Sequence, residues 1–142
     1  MGKTILITGA SSGFGRLTAE TLSRSGHKVF AGFRSTNGPK KQIVDELKAK
    51  KIEVLDLDVT DQSSVMIAVR RLLETSKQEL DVVINNAGMA SAGISEAFTP
   101  EQARDLFDVN VFGVQRVLRA TLPVLRAKRA GLVINIGSIL AE

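Results

Sequence analysis

Five short runs rich in isoleucine and valine recur along this chain, separated by longer segments whose apolar residues have helical spacing. The runs are Thr4–Thr8, Lys28–Phe33, Glu53–Leu57, Val82–Asn85 and Leu132–Ile136. Their nearly continuous apolar character is typical of strands that are buried on both faces. Strands that alternate with helices favour a parallel sheet with right-handed crossovers. The sequence therefore predicts an α/β fold, a doubly wound parallel sheet with helices on both faces.

The first three helices are predicted from apolar residues that repeat every three or four positions. These residues are Phe14, Leu17, Thr21 and Leu22 in the first helix, Ile43, Val44 and Leu47 in the second, and Val65, Val69, Leu72 and Leu73 in the third. Pro39 is expected near the start of the second helix, where proline is tolerated. Thr60 or Asp61 is the expected N-cap of the third.

The longest helical stretch runs from about Glu101 to Arg129 and is interrupted by Gly113 and Pro123. We expect two helices or one kinked helix there. The stretch carries more apolar surface than a helix packed on one side needs. Its apolar residues are Val111, Val114, Val117, Leu118, Leu122 and Leu125. Core packing and contact with a second copy of the chain explain this surface equally well.

Composition excludes several classes of function. The chain has no cysteine, which excludes disulfides, thiolate metal sites and a cysteine nucleophile, and its single histidine, His27, excludes a multi-histidine metal site. The net charge is +4, but the basic residues form no stripe with interleaved aromatics, so no nucleic-acid partner is expected. No segment approaches the roughly 18 apolar residues of a membrane span. We expect a cytoplasmic protein that does not bind membranes.

A glycine-rich segment, TGASSGFG at residues 8–15, joins the first strand to the first helix. Gly9, Gly13 and Gly15 permit a tight turn and close approach of a ligand to bare backbone. The helix that follows presents N–H groups and a positive dipole end, which favour a pyrophosphate. The spacing is not G-x-G-x-x-G, because Thr18 stands where the third glycine would fall. Considered alone, the segment is either a structural turn or an anion site.

With four further motifs, this segment resembles the classical short-chain dehydrogenase/reductase family. The motifs are Asp58-Val59 after the third strand, Asn85-Asn86-Ala87-Gly88 after the fourth, Asn110 in DVNVFG and Ser138 in VINIGSI. The resemblance covers the whole chain and implies a Rossmann-like sheet, truncated after the fifth strand. Residues 1–142 would form one dinucleotide-binding domain, an incomplete domain of that family.

The resemblance also implies which residues bind a nicotinamide cofactor. They are Gly9, Ser11, Ser12, Gly13, Phe14 and Gly15 of the turn, Arg34, Asp58 and Val59, and Asn86, Ala87 and Gly88. An acid after the second strand would select NAD, whereas an arginine accommodates the 2′-phosphate of NADP. Here Arg34 follows the strand and no acid occurs before Asp45. NADP is the expected cofactor. NAD stays possible, because Ser12 stands where some family members carry a second basic residue.

The catalytic set implied by the resemblance is present only in part. Ser138 would hydrogen-bond the substrate oxygen, and the main chain of Asn110 would hold a relay water. The family's acid is a tyrosine with a lysine four residues on, and this chain contains no tyrosine. We expect an oxidoreductase of carbonyl or alcohol substrates, of which this chain alone binds the cofactor but is catalytically incomplete. The alternative is a non-catalytic nucleotide-binding or partner-binding module.

Two consequences follow for the surroundings of the site. The fifth strand would be an unpaired apolar edge, so we expect the chain to form a homo-oligomer or to need a partner. The loop from Met89 to Phe98 is small and apolar and is expected to border the substrate pocket. Its composition favours an uncharged substrate.

Overall fold

In the computed structural model, which describes residues 2–138, all five predicted strands form one parallel sheet. The strands are β1 (Thr4–Thr8), β2 (Lys28–Phe33), β3 (Glu53–Asp56), β4 (Val82–Asn85) and β5 (Leu132–Asn135). Their order across the sheet is β3-β2-β1-β4-β5, and every pair is parallel. The predicted fold class is confirmed, and β3 and β5 each end one residue earlier than predicted.

Five α-helices connect these strands. They are α1 (Gly13–Arg24), α2 (Lys41–Ala49), α3 (Gln62–Ser76), α4 (Pro100–Phe107) and α5 (Gly113–Lys128). A π-helical segment, Asp108–Phe112, joins α4 to α5, and a short 3-10 turn, Ser95–Ala97, precedes α4. The Asp61 side chain caps α3 by accepting a hydrogen bond from the Ser63 N–H at 2.8 Å.

Each face of the sheet carries its own core. Successive residues of a strand point to opposite faces, so Leu6 of β1 and Val83 of β4 pack with α3 and α5. Ile7 of β1 and Ile84 of β4 pack on the other face, with α1 and α2. From β1 the strands are added toward one side of the sheet as β2 and β3, and then toward the other side as β4 and β5. This switch point between β1 and β4 leaves a crevice at the carboxyl ends of these two strands.

The apolar stripe predicted for α1 is wrong. Phe14 is 82% exposed and Leu17 is 62% exposed, whereas the buried residues of this helix are Gly15 and Ala19. The helix approaches the sheet through these two small residues, and Leu22 is only partly buried at the edge of the core. Helical spacing identified the helix correctly, but it could not tell a covered face from an open one.

The two expected interruptions of the long helical stretch behave differently. Gly113 begins α5, and a Cβ at this position would lie 3.0 Å from the Cβ of Val59, so a larger residue there would push the Val59 side chain aside. Pro123 lies inside α5 without ending it. It sits on the exposed face, where water can satisfy the carbonyl of Arg119 that proline leaves unbonded. Pro39 precedes α2 and its N-cap, Lys40, and is not part of the helix.

Candidate functional site

The glycine turn between β1 and α1 lies against the segment that follows β4. Gly9 has a left-handed backbone with φ of 67°, and a Cβ there would lie 2.7 Å from the Cα of Ala87. A Cβ on Gly15 would overlap the Nδ2 atom of Asn86. Only residues without a side chain allow this contact, which holds the two segments together as neighbouring walls of the crevice.

Hydrogen bonds from the Asn86 segment to the end of β1 fix this contact. The hydroxyl of Thr8 accepts the backbone N–H groups of Asn86 at 3.1 Å and Ala87 at 3.0 Å. The Asn86 amide donates to the carbonyl of Thr8 at 3.0 Å and to that of Gly9 at 3.2 Å. Thr8 is 1% exposed. The sequence analysis did not select it as a site residue, although its place at the tip of β1, before the first glycine, was the available signal.

The crevice is a cleft of about 370 Å³, within the range of small-molecule sites. Eleven of the twelve predicted cofactor residues line it: Gly9, Ser11, Ser12, Phe14, Gly15, Arg34, Asp58, Val59, Asn86, Ala87 and Gly88. Three predicted site residues do not line the cleft within the described part of the chain: Gly13, Asn110 and Ser138. The lining residues that were not predicted to bind the cofactor are Phe33, Lys40, Leu57, Thr60 and Val109, together with Met89, which the sequence analysis placed in a loop at the border of the substrate pocket.

The N-terminus of α1 opens toward this cleft without an acidic partner of its own. Its N-cap, Ser12, makes no side-chain capping bond, and the first turn contains no acidic residue. The Arg16 guanidinium donates to Glu20 at 2.9 Å and also pairs with Glu46 of α2, and these hydrogen bonds raise its pKa. Arg16 therefore ties α1 to α2, and the positive helix end is left available to an anion.

Asp58 lies on the opposite side of the cleft, in the loop after β3. Burial acts to raise the pKa of its carboxyl group, but hydrogen bonds from the Thr60 N–H at 2.9 Å and hydroxyl at 2.7 Å lower it, as do the charges of Arg34 and Arg116. The net shift is downward. Asp58 is consequently an ionised acceptor above its depressed pKa.

Two cations line the end of the cleft nearest β2. Arg34 directly follows β2 and is exposed, and it makes no hydrogen bond or ion pair within residues 2–138. Lys40, the N-cap of α2, extends its ammonium group to 3.5 Å from the hydroxyl of Ser11 in the glycine turn. The connection between them, residues 35–39, contains no acidic residue.

Asn110 lies in the π-helical segment, and its side chain is fixed from both ends. Its Oδ1 accepts the Met89 N–H at 2.9 Å, and its Nδ2 donates to the Met89 carbonyl at 2.9 Å. Arg116 supports the same segment by donating to the carbonyls of Asp108 at 3.2 Å and Val59 at 3.1 Å. Asn110 thus lies in a helical irregularity that is attached to the loop that follows β4.

Ser138 lies three residues beyond the end of β5 and is exposed. Because the strands are parallel, Ser138 lies at the carboxyl end of the sheet, as the glycine turn does. Beside it, the Asn85 amide of β4 donates to the Asn135 Oδ1 of β5 at 2.8 Å. The Asn85 Oδ1 is buried and has no hydrogen-bond partner among the described residues.

Two negative findings apply to residues 2–138. None of their helices is long and apolar enough to cross a membrane. They also contain no cluster of three or more histidine, cysteine, aspartate or glutamate residues that could hold a metal ion.

A doubly wound parallel sheet with a glycine turn at its switch point defines a Rossmann-like fold. The family model described as short chain dehydrogenase matches residues 3–142, and the chain belongs to this family. Over 135 residues it is 42% identical to a 3-ketodihydrosphingosine reductase of Bacteroides thetaiotaomicron, covering 95% of this chain and 46% of the relative. Over 138 residues it is 33% identical to a 3-oxoacyl-[acyl-carrier-protein] reductase of Escherichia coli, covering 97% of this chain and 55% of that relative.

Solved structures agree with this assignment. A short-chain dehydrogenase from Streptomyces avermitilis superposes with a TM-score of 0.87 at 38% identity, covering 97% of this chain and 50% of that one. An actinorhodin polyketide ketoreductase solved with NADPH superposes with a TM-score of 0.87 at 28% identity. The match covers 96% of this chain and 53% of the ketoreductase. The chain thus spans about half the length of the relatives it matches.

Proposed function

We propose that this chain is the cofactor-binding part of an NADP(H)-dependent oxidoreductase that interconverts carbonyl and alcohol substrates. The observation that carries the proposal is the convergence of eleven predicted residues on one cleft at the switch point of the sheet. Open α/β sheets bind their ligands at this point, outside the carboxyl ends of the strands.

The chemistry of the cleft fits a dinucleotide. The uncapped N-terminus of α1 offers N–H groups to a pyrophosphate. Gly9 and Gly15 keep side chains out of the turn beside it. On the far side, the ionised Asp58 and the backbone of Val59 would meet the adenine ring edge, as the family resemblance implies. The segment Asn86–Gly88 would line the nicotinamide half of the cleft.

The choice of NADP over NAD is supported by charge. Arg34 stands where an NAD-binding chain would place an acid, and its guanidinium is free to bind a phosphate bidentately. Among the solved structures, the actinorhodin ketoreductase was determined with NADPH, and an alcohol dehydrogenase of Thermococcus sibiricus, 32% identical with a TM-score of 0.82, was complexed with 5-hydroxy-NADP.

The nicotinamide, when bound, supplies the hydride transfer. Of this chain's residues, Ser138 would hydrogen-bond the substrate oxygen, and the fixed side chain of Asn110 leaves its main chain to hold a water. A proton donor for the substrate oxygen is still needed, and the 142 residues contain no tyrosine to provide it. We therefore expect the chain alone to bind NADP(H) without turning over carbonyl substrates.

The test is a titration of the purified chain with NADPH and NADH, followed by nucleotide fluorescence or calorimetry. Replacing Arg34 with alanine removes a charge-assisted hydrogen bond worth about 1.5–3 kcal/mol. We expect Arg34→Ala to weaken NADPH binding by about 10- to 100-fold and NADH binding less than twofold. Arg24→Ala is the matched control, because Arg24 is the last residue of α1 and lies at the end of this helix that is away from the cleft.

Three results would contradict the proposal. If the unmodified chain binds neither dinucleotide, the cleft is not a cofactor site. If Arg34→Ala and Arg24→Ala weaken NADPH binding equally, Arg34 does not read the 2′-phosphate. If the purified 142-residue chain oxidises NADPH in the presence of a ketone, it is catalytically complete and an unrecognised group donates the proton.

A further inference from the structure

The Lys40 side chain connects the start of α2 to the glycine turn. Its ammonium lies 3.5 Å from the Ser11 hydroxyl and 5.7 Å from the centroid of the Phe33 ring. All three residues line the cleft. Lys40 is the N-cap of α2, but its side chain makes no capping bond with that helix. The side chain is therefore directed toward the cleft and away from its own helix.

The contacts of Lys40 leave most of its hydrogen-bonding capacity unused. An ammonium group has three donors, and the one contact to Ser11 is at the outer limit of hydrogen-bond length. Among residues 2–138, Lys40 forms no ion pair. Lys50 and Lys128 differ in this respect, because each binds a carboxylate within 2.8 Å. The Phe33 ring supports the Lys40 ammonium through a cation–π contact without consuming a donor.

The charges around this position favour an anion. Arg34 and Lys40 line the same end of the cleft, and Asp58 is the only carboxylate among the described lining residues. Asp56, which ends β3 and does not line the cleft, holds the loop after β2, because its Oδ1 accepts the Ser35 N–H at 3.1 Å. Lys40 is half-buried, so its charge is less screened than that of a surface lysine.

We propose that Lys40 is a second cofactor-selecting residue that binds the 2′-phosphate of NADP together with Arg34 and the Ser11 hydroxyl. This inference rests on the proposed function, since it concerns the same cleft. A basic residue directly before the middle glycine is absent from this chain, where Ser12 occupies that place. Lys40 supplies the missing charge from α2, and no motif of the glycine turn reveals it.

The experiment compares Lys40→Met with Lys41→Met in the purified chain. Methionine keeps the apolar length of the side chain against Phe33 and removes the charge. Lys41 is the exposed first residue of α2, so its variant loses the same charge one position away. The probes are NADP⁺, NAD⁺, 2′,5′-ADP and 5′-AMP, titrated by calorimetry at fixed ionic strength.

We expect Lys40→Met to weaken NADP⁺ and 2′,5′-ADP binding about tenfold and to change NAD⁺ and 5′-AMP binding less than twofold. Lys41→Met should change all four less than twofold, and Lys40→Arg should retain the preference for the 2′-phosphate. Equal losses in the two methionine variants, or equal losses of NADP⁺ and NAD⁺ in Lys40→Met, would overturn the assignment while leaving the proposed function intact. Failure of the unmodified chain to bind any probe would overturn both.

Discussion

At the scale of single residues, Gly9 and Gly13 have the same left-handed backbone in different surroundings. Gly9 has φ of 67° and contacts Ala87, whereas Gly13 has φ of 52° and a Cβ there would meet nothing within 4 Å. Alanine at Gly13 should cost only the backbone strain of about 1–2 kcal/mol. Alanine at Gly9 adds overpacking against Ala87, for a total of about 2–5 kcal/mol.

Urea unfolding of Gly9→Ala and Gly13→Ala checks this difference. We expect the free energy of unfolding to fall clearly more for Gly9→Ala. NADPH binding should also weaken in Gly9→Ala at protein concentrations where both variants are folded, because the turn must move away from Ala87. Equal stabilities of the two variants would show that the contact between the turn and the segment after β4 is not restrictive.

Single residues also show what the sequence could and could not reveal about the site. Arg34, Asp58 and the glycines belong to local motifs, whose spacing is readable without a structure. Lys40 and Thr8 act across the fold, at 29 and 78 positions from Ser11 and Asn86 respectively. Their roles depend on which loops meet at the switch point, and no local pattern encodes that meeting.

At the scale of elements, the strands were predictable almost to the residue because burial on both faces leaves a continuous apolar run. The helices were predictable in existence, and the buried faces of α2 and α3 agree with their predicted apolar stripes, but the buried face of α1 does not. In α1, Phe14 and Leu17 repeat like core residues yet lie exposed. In α5, Pro123 does not interrupt the helix, because its unbonded carbonyl partner faces solvent. The first error arises because periodicity records spacing and does not record what covers a face, and the second because the cost of a proline depends on whether water reaches the carbonyl that it leaves unbonded.

Asp81, the residue directly before β4, links β4 to β1 and α5 through one carboxylate. Its Oδ2 accepts the Thr4 N–H of β1 at 2.8 Å, and its Oδ1 accepts the Lys128 ammonium of α5 at 2.8 Å. Burial is the largest influence and acts to raise the Asp81 pKa, but these bonds and the charge of Lys3 outweigh it, so the pKa lies below its ordinary value of 3.8. The ionised form therefore stabilises the folded state.

We expect this stabilisation to be fully present above about pH 5, where the carboxyl is ionised in the unfolded chain too, and to disappear as the pH falls through the depressed pKa. Asp81→Asn should lower the free energy of unfolding by about 1 kcal/mol at pH 7, since the amide cannot pair with Lys128. The difference from the unmodified chain should shrink toward pH 2, as measured by denaturant unfolding across pH. Glu79→Gln is the control, because Glu79 binds the same lysine from an exposed position and should change stability little. A difference that persists at pH 2 would contradict this account.

At the scale of the whole molecule, the two faces of the sheet are covered unequally. On the α1 face, a groove is lined by apolar residues and by the exposed Phe14, and it includes Ile134 and Ile136 at the β5 side. Within the described residues, β5 pairs only with β4 and forms an edge of the sheet. Leu132 is 53% exposed and Ile136 is 54% exposed. An apolar edge beside an apolar groove is a template for pairing with another chain.

We therefore expect the purified 142-residue chain to self-associate through the β5 edge. Ile136→Lys places a charge at this edge and should shift the protein toward the monomer in sedimentation velocity, because pairing would bury an uncompensated ammonium. Met66→Lys is the control, since Met66 is 47% exposed on α3, away from the groove, and adds the same charge elsewhere. Similar shifts in both variants would assign the effect to net charge. A monodisperse monomer of the unmodified chain would show that the edge does not drive association.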